Sequence, residues 1–191
     1  DQKNYALIYR SMRELLRNPG VQIIVSPISA LRKDGRYSYL LKGFRLLSES
    51  EGFAGRLAWG PQRIKHPLRW EQVIAGADLQ IVPSRFEPFG LNHAQGMASG
   101  CIPLCSRTGC MGEKPMRDTR KAGARGNSFL FPWNSDNVSK SKRDFVSAFN
   151  HAVDLFFNRP KAWQALMTRA ASAAQHYSWR NLLPAYRGLF R

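Results

Sequence analysis

Between the apolar run Ala77-Asp78-Leu79-Gln80-Ile81-Val82 and the helical stretch Leu91 to Ser99 lies Pro83-Ser84-Arg85-Phe86-Glu87-Pro88-Phe89-Gly90, a loop that joins a carboxylate to a glycine. A helix starting there points its first free backbone N–H groups back at the loop, and with the helix dipole they favour a phosphate. Gly90 lets the backbone approach a ligand closely, and the Glu87 carboxylate can accept hydrogen bonds from sugar hydroxyls. The residue types suit a sugar phosphate.

Other residues leave alternatives open. His93 faces either the site or the core. Arg85 pairs with a phosphate or with Glu87. Trp59, at a strand end, stacks on a base or packs in the core, and Trp133, Trp163 and Trp179 read as core or helix-packing anchors. Cys101, Cys105 and Cys110 crowd one strand and the loop after it; an odd number without paired Cys-x-x-Cys spacing reads as small buried or loop residues in a reducing, cytoplasmic compartment. No Asp-x-Asp motif occurs, so no metal is indicated.

Those residues must be positioned by regular elements. Tyr5, Ile8, Met12, Leu15 and Leu16 recur at helical spacing until Asn18-Pro19-Gly20 stops the helix, and Val21 to Val25 reads as a strand. A helix over 37–48, a strand over 56–59 and a helix over 70–75 lead to the strand at 78–82. After the motif helix come strands at 102–105 and 127–131, then helices at about 139–157, 159–176 and 178–189, the last with Ser178 as its N-cap. This alternation predicts a doubly wound parallel α/β sheet with its ligand at the carboxyl ends of the strands. The stretch from Met111 to Gly126 is polar, basic and longer than most loops, and mobility is expected of it.

The chain has 191 residues, 43% of them hydrophobic, enough for one good core, and no apolar run approaches the roughly 20 residues of a membrane span. Lys and Arg number 29 against 13 acidic residues, a formal net charge of +16. That excess allows an anionic partner as well as a solvated basic surface. Arg32, Lys33 and Arg36 precede a helix, Arg117, Arg120, Lys121 and Arg125 fill the 111–126 stretch, and Lys140, Lys142 and Arg143 open another helix. The loop cations outnumber the needs of one diphosphate and are assigned to an anionic acceptor or partner.

Ser84-Arg85-Phe86-Glu87-Pro88-Phe89-Gly90-Leu91-Asn92 resembles the donor-site loop of glycogen and starch synthases. Glu87-Pro88-Phe89-Gly90-Leu91, taken with Ala98-Ser99-Gly100-Cys101-Ile102-Pro103-Leu104, resembles the wider class of retaining GT-B glycosyltransferases. Arg107-Thr108-Gly109, Gly126 to Phe131 and Tyr177-Ser178-Trp179-Arg180 extend the likeness over nearly the whole chain. The resemblance implies the C-terminal, Rossmann-like donor domain of a two-domain enzyme, with residues 178–191 returning toward an N-terminal domain that also carries most of the acceptor site. It further implies that the domain's first strand, central in a 3-2-1-4-5-6 order, lies before residue 1.

The activity implied is transfer of a hexose from a nucleotide-diphosphate sugar with retention, with the nucleotide sugar as substrate, no cofactor, and no activity from this piece alone. By the resemblance Lys3 is the phosphate lysine and Glu87 the sugar ligand, the two expected to carry catalysis. Phe89, Gly90, Leu91, Asn92 and Arg85 line the sugar and phosphates, and Gln95 stands where the family often has a second Glu for the ribose. Phe89 replaces a frequent Cys and Cys110 the second Gly of Thr-Gly-Gly, departures that weaken the polyglucan reading more than sugar transfer. The alternative is a non-catalytic basic module of the same fold, as in a glycosyltransferase-like effector, acting on RNA, an acidic protein or a membrane face.

Overall fold

A computed structural model describes residues 2–25, 38–59, 69–113 and 115–188. Arg32, Lys33 and Arg36 therefore lie outside the described residues. The chain divides into two compact units, one from Lys3 to Arg69 and one from Trp70 to Arg191 with Gln2.

In the first unit α1 (Tyr5–Leu15) buries Leu7, Ile8, Met12 and Leu15, the stripe expected from their spacing. Strand β1 (Ile23–Val25) pairs in parallel with β2 (Leu57–Trp59), with Ile23 opposite Leu57. Between them runs α2 (Ser38–Glu49), whose Gly43 touches α1: a Cβ there would lie 2.5 Å from the Tyr9 ring. Arg56 donates to the Leu16 and Asn18 carbonyls at 3.0 Å each and so ties the start of β2 to the end of α1. Trp59 is half-buried, and its indole N–H donates to Ser48 Oγ at 3.1 Å, the packing role among its two readings.

The second unit holds α3 (Trp70–Ala75), β3 (Leu79–Val82), α4 (Leu91–Ala98), β4 (Ile102–Ser106), α5 (Thr119–Ala122), β5 (Phe129–Phe131), α6 (Val138–Asn158), α7 (Pro160–Ala174) and α8 (Trp179–Gly188). Its three strands form a parallel sheet in the order β3-β4-β5. Within each unit the strands pair in parallel with helices between them, the Rossmann-like α/β class expected. Every residue of β4 and β5 is buried, as a central strand covered on both faces requires. Val82, Met97, Cys105, Leu130 and Ala170 meet in one cluster, while Phe129 stacks on Trp163 with centroids 6.3 Å apart. Gly96 lets α4 lie close to β3, because a Cβ there would meet the buried Gln80 amide at 2.1 Å.

Two expectations are corrected. Trp179 is no core anchor: it is 69% exposed, and with Leu183 and Tyr186 it gives α8 an apolar outer face. An amphipathic pattern shows that a face is apolar but not what covers it. Ser178 stands at the start of α8, yet its buried hydroxyl has no hydrogen-bond partner among the described residues; its carbonyl instead accepts from Asn181 and Leu182.

Candidate functional site

The turn from β3 to α4 is built as a strand-to-helix connection with a left-handed corner. Gly90 precedes the first helical residue with φ 68° and ψ 53°, a conformation costly for any residue with a Cβ. A Cβ there would also lie 2.9 Å from Glu87 Cγ and 2.9 Å from His93 Nδ1. From the other side Gly109, at φ 52°, packs so closely that a Cβ would sit 1.9 Å from the Glu87 carbonyl oxygen. Glycine is required at both places, and between them the Glu87 backbone is fixed.

Hydrogen bonds fix the rest of the turn. The hydroxyl of Ser106, at the end of β4, donates to the Ser84 carbonyl, and Thr108 donates to the same oxygen at 3.2 Å. Ser84 Oγ in turn donates to Glu87 Oε2 at 3.2 Å. Gln2 joins from the chain start: its side-chain amide donates to the Phe86 carbonyl at 2.9 Å, and its own carbonyl accepts from Arg85 N–H at 2.8 Å. Cys110 Sγ bonds the Phe89 carbonyl.

Glu87 is only 7% exposed, although its place in a loop between a strand and a helix would suggest a solvent-facing carboxylate. Its charge is felt by three neighbours. Burial raises the Cys105 thiol strongly and the Cys110 thiol more mildly, and the Glu87 charge raises both further. His93 is fully buried, and burial holds it below the ordinary imidazole range although Glu87 pulls the other way. Its Nε2 lies 3.1 Å from the Tyr177 hydroxyl, with the rings edge to face. Of its two readings, His93 thus takes the buried one, directly beneath the turn.

The remaining expected residues are spread more widely. Phe89, Leu91, Asn92 and Gln95 are exposed around the mouth of the turn, and Phe89 meets the Tyr177 ring edge to face at 6.4 Å. The Arg85 guanidinium lies over the half-buried Trp133 ring, 5.5 Å from its centroid. Those two side chains help wall a cleft of about 700 Å³ with Thr108, Ser135, Lys140 and Asp144. Lys3 precedes α1 in the first unit and is partly buried. All three cysteines are free, with Cys101 and Cys105 buried.

The basic segment differs from its expected form. It begins at the carboxyl end of β4 with a short 3-10 turn, Gly109–Gly112, but must return to the amino end of β5 to enter a parallel strand. Met111 and Met116 are buried along the way, and Asp118 bridges Ser128 beside the start of β5. Arg117, Arg120, Lys121 and Arg125 therefore stand near the opposite end of the sheet from Glu87. Arg120 is engaged internally, with Nη2 on Asp118 at 3.3 Å and on the Leu130 carbonyl. The loop expected to be mobile contains α5, a second 3-10 turn and a set of backbone hydrogen bonds to Arg117 and Ser128.

Sequence reasoning missed Tyr177, which lies 84 positions from His93, and Trp133 as a wall of the cleft. No local pattern marks either one.

No family model matches the chain. It is 30% identical over 189 residues, 99% of its length, to a glycogen synthase of Desulfatibacillum aliphaticivorans, of which it spans 35%. Among solved structures it resembles the catalytic domain of starch synthase IV from Arabidopsis thaliana bound to ADP and acarbose, with TM-score 0.67 and 22% identity over 99% of this chain and 35% of that one. Sucrose-phosphate synthase from Thermosynechococcus elongatus gives TM-score 0.62 at 18% identity, covering 99% of this chain and 43% of the other. The chain thus spans about a third of the relatives it matches. By sequence the chain is thus similar to the C-terminal part of glycogen synthases, and by fold to two GT-B glycosyltransferases, starch synthase IV and sucrose-phosphate synthase.

Proposed function

We propose that this chain is the donor-binding part of a retaining glycosyltransferase that moves a hexose from a nucleotide-diphosphate sugar to an acceptor. The observation that carries the reading is the turn itself: a buried carboxylate, Glu87, held by Ser84 between two obligatory glycines at the mouth of α4. A carboxylate fixed in that way is preorganised to accept sugar hydroxyls, and the first N–H groups of α4 face the position of a leaving diphosphate. No second carboxylate shares the turn, so Glu87 acts as a hydroxyl ligand and charge stabiliser rather than as one of a paired acid and base.

In this reading Gly90, Leu91 and Asn92 bind the donor phosphates, the exposed Gln95 amide bonds the ribose diol, and Phe89 and Arg85 border the sugar. Lys3 joins through the family resemblance, as the cation for the phosphates. Neutralising the departing diphosphate while the sugar becomes oxocarbenium-like is the protein's main chemical task. Arg117, Lys121 and Arg125 form a separate cationic surface for an anionic partner or acceptor.

The full-length protein, given a panel of ADP-, UDP- and GDP-hexoses with oligosaccharide acceptors, should release a nucleoside diphosphate and form a product whose new anomeric bond keeps the donor's configuration by NMR. The isolated 191-residue chain should bind nucleotide without sustained transfer, since chemistry in a two-domain cleft needs both walls. Product of inverted configuration, or no nucleotide binding by the full-length protein, would overturn the proposal.

A further inference from the structure

His93 is fully buried one turn into α4, and its Nδ1 has no hydrogen-bond partner among the described residues. That nitrogen faces the turn, because a Cβ on Gly90 would lie 2.9 Å from it. The other ring nitrogen is held at 3.1 Å by Tyr177, which arrives from the 3-10 turn Gln175–Tyr177 after α7. A buried neutral imidazole carries one proton, and the group bonded to one nitrogen decides where that proton sits.

The surroundings choose between the tautomers. On the side of the turn, which Nδ1 faces, the Glu87 carboxylate and the Gly90 backbone both favour a proton on the ring. On the Nε2 side is a phenol whose ionisation is pushed up to about 12, first by burial and then by Cys110 and Cys105, so its oxygen keeps its hydrogen and can donate. A proton on Nδ1 turns a donor toward the carboxylate's charge and leaves Nε2 as the acceptor for the Tyr177 hydroxyl. The opposite tautomer would turn a lone pair toward a carboxylate.

We propose that Tyr177 is a positioning residue that locks His93 as the Nδ1–H tautomer, so that this N–H faces Gly90 and Glu87 and holds the donor turn. The inference rests on the proposed function of that turn. It gives the segment that starts α8 a direct mechanical link to the donor loop: Tyr177 touches both His93 and Phe89, so a shift of that segment alters the turn's proton donor and its aromatic rim together.

The test uses full-length protein with 15N-labelled histidine and two substitutions that split the imidazole's functions. An asparagine amide reaches about as far as Nδ1 and a glutamine amide about as far as Nε2. His93→Asn therefore keeps a donor at the turn without Tyr177, whereas His93→Gln keeps the Tyr177 contact and loses the donor. In the wild type the His93 nitrogen shifts should show a protonated Nδ1 and a bare, hydrogen-bonded Nε2, and Tyr177→Phe should mix the tautomers. Tyr177→Phe should raise KM for the nucleotide sugar roughly three- to tenfold, the scale of one neutral hydrogen bond, with a smaller change in kcat. His93→Gln should be worse than His93→Asn, and adding Tyr177→Phe to His93→Asn should change nothing further.

A proton on Nε2 in the wild type would overturn the inference even if transfer is normal. So would a Tyr177→Phe effect that adds in full to His93→Asn, which would mark Tyr177 as packing only. Failure of the parent reading looks different: the tautomer signature would be present in a protein that binds no nucleotide sugar.

Discussion

The three-stranded sheet of the second unit buries a carboxylate near each end, and the two are used differently. Near the amino end of β5, Asp118 caps α5 by accepting from Arg120 N–H, takes the Arg120 guanidinium at 3.3 Å, and accepts from Leu130 N–H at 3.4 Å. At the carboxyl end of β3, Glu87 is held by a serine hydroxyl and enclosed by the backbone of Gly90 and Gly109. Burying a carboxylate costs several kcal/mol unless charge and hydrogen bonds offset it, and Asp118 receives that compensation from groups that also close the fold. Glu87 sits at the mouth of a helix, where two glycines pack against it and Ser84 donates to it. One carboxylate ties a helix to a strand, and the other lies in the turn proposed to recognise the donor.

The largest expected effect separates them most sharply. Glu87→Gln keeps the shape and an oxygen for Ser84, so kcat/KM for sugar transfer by the full-length protein should fall about a hundredfold or more while the melting temperature changes little. Asp118→Ala should do the reverse: a buried partner of Arg120 is lost, the chemical-denaturation midpoint should fall by an amount equivalent to roughly 2 kcal/mol or more, and nucleotide affinity of the folded protein should hold. Matching stability losses in both variants, with activity intact in Glu87→Gln, would erase the distinction.

Gly90→Ala comes next, because the left-handed corner and the contacts with Glu87 and His93 both resist a Cβ. Nucleotide-sugar affinity should drop about tenfold, whereas Phe89→Ala, at an exposed rim residue, should cost about threefold or less. Equal tolerance at the two positions would remove the close-backbone account.

His93 provides a smaller, pH-dependent effect. Its folded pKa is depressed by burial, against the Glu87 charge from the loop and with neutral Tyr177 on its other side. The unfolded chain therefore binds more protons than the native one as pH falls below about 6.5. The stability this histidine contributes is complete above that pH and is lost progressively below it. Thermal unfolding between pH 7 and pH 5 should show that slope in the wild type and a shallower one in His93→Gln.

The smallest effect belongs to the surface cations. Reversing Arg117 and Lys121 to Glu should weaken an anionic partner or acceptor a few-fold at low salt and much less at high salt, with nucleotide affinity unchanged, because these residues stand at the other end of the sheet. A selective loss of nucleotide binding would move them into the donor site.

How much of this was legible in the sequence follows from how local each signal is. The strand, turn and helix around Glu87 were readable because an apolar run, a Pro-Phe-Gly corner and a small-residue helix follow one another within 23 residues, from Ala77 to Ser99. The order of helices and strands was readable for the same reason. The burial of Glu87 was not, because it depends on Gly109 and Ser106, which approach from another strand. The 111–126 stretch looked like a polar loop because its anchors, Met111, Met116 and Asp118, are single residues spaced among cations. Trp179 was misplaced because an aromatic side chain in an amphipathic helix signals burial without saying against what. The His93–Tyr177 pair joins residues with no shared local pattern.

The central claim is that the turn at Glu87 recognises a nucleotide-activated sugar. The most direct measurement is calorimetric titration of the full-length protein and its Glu87→Gln variant with matched nucleoside diphosphate and nucleotide-hexose ligands, at salt high enough to screen non-specific attraction to the basic surface. The account predicts that the wild type binds both ligands at high salt, and that Glu87→Gln keeps its affinity for the diphosphate while losing most of the added affinity contributed by the sugar. Binding that disappears with salt, or a sugar contribution identical in the two proteins, would contradict it.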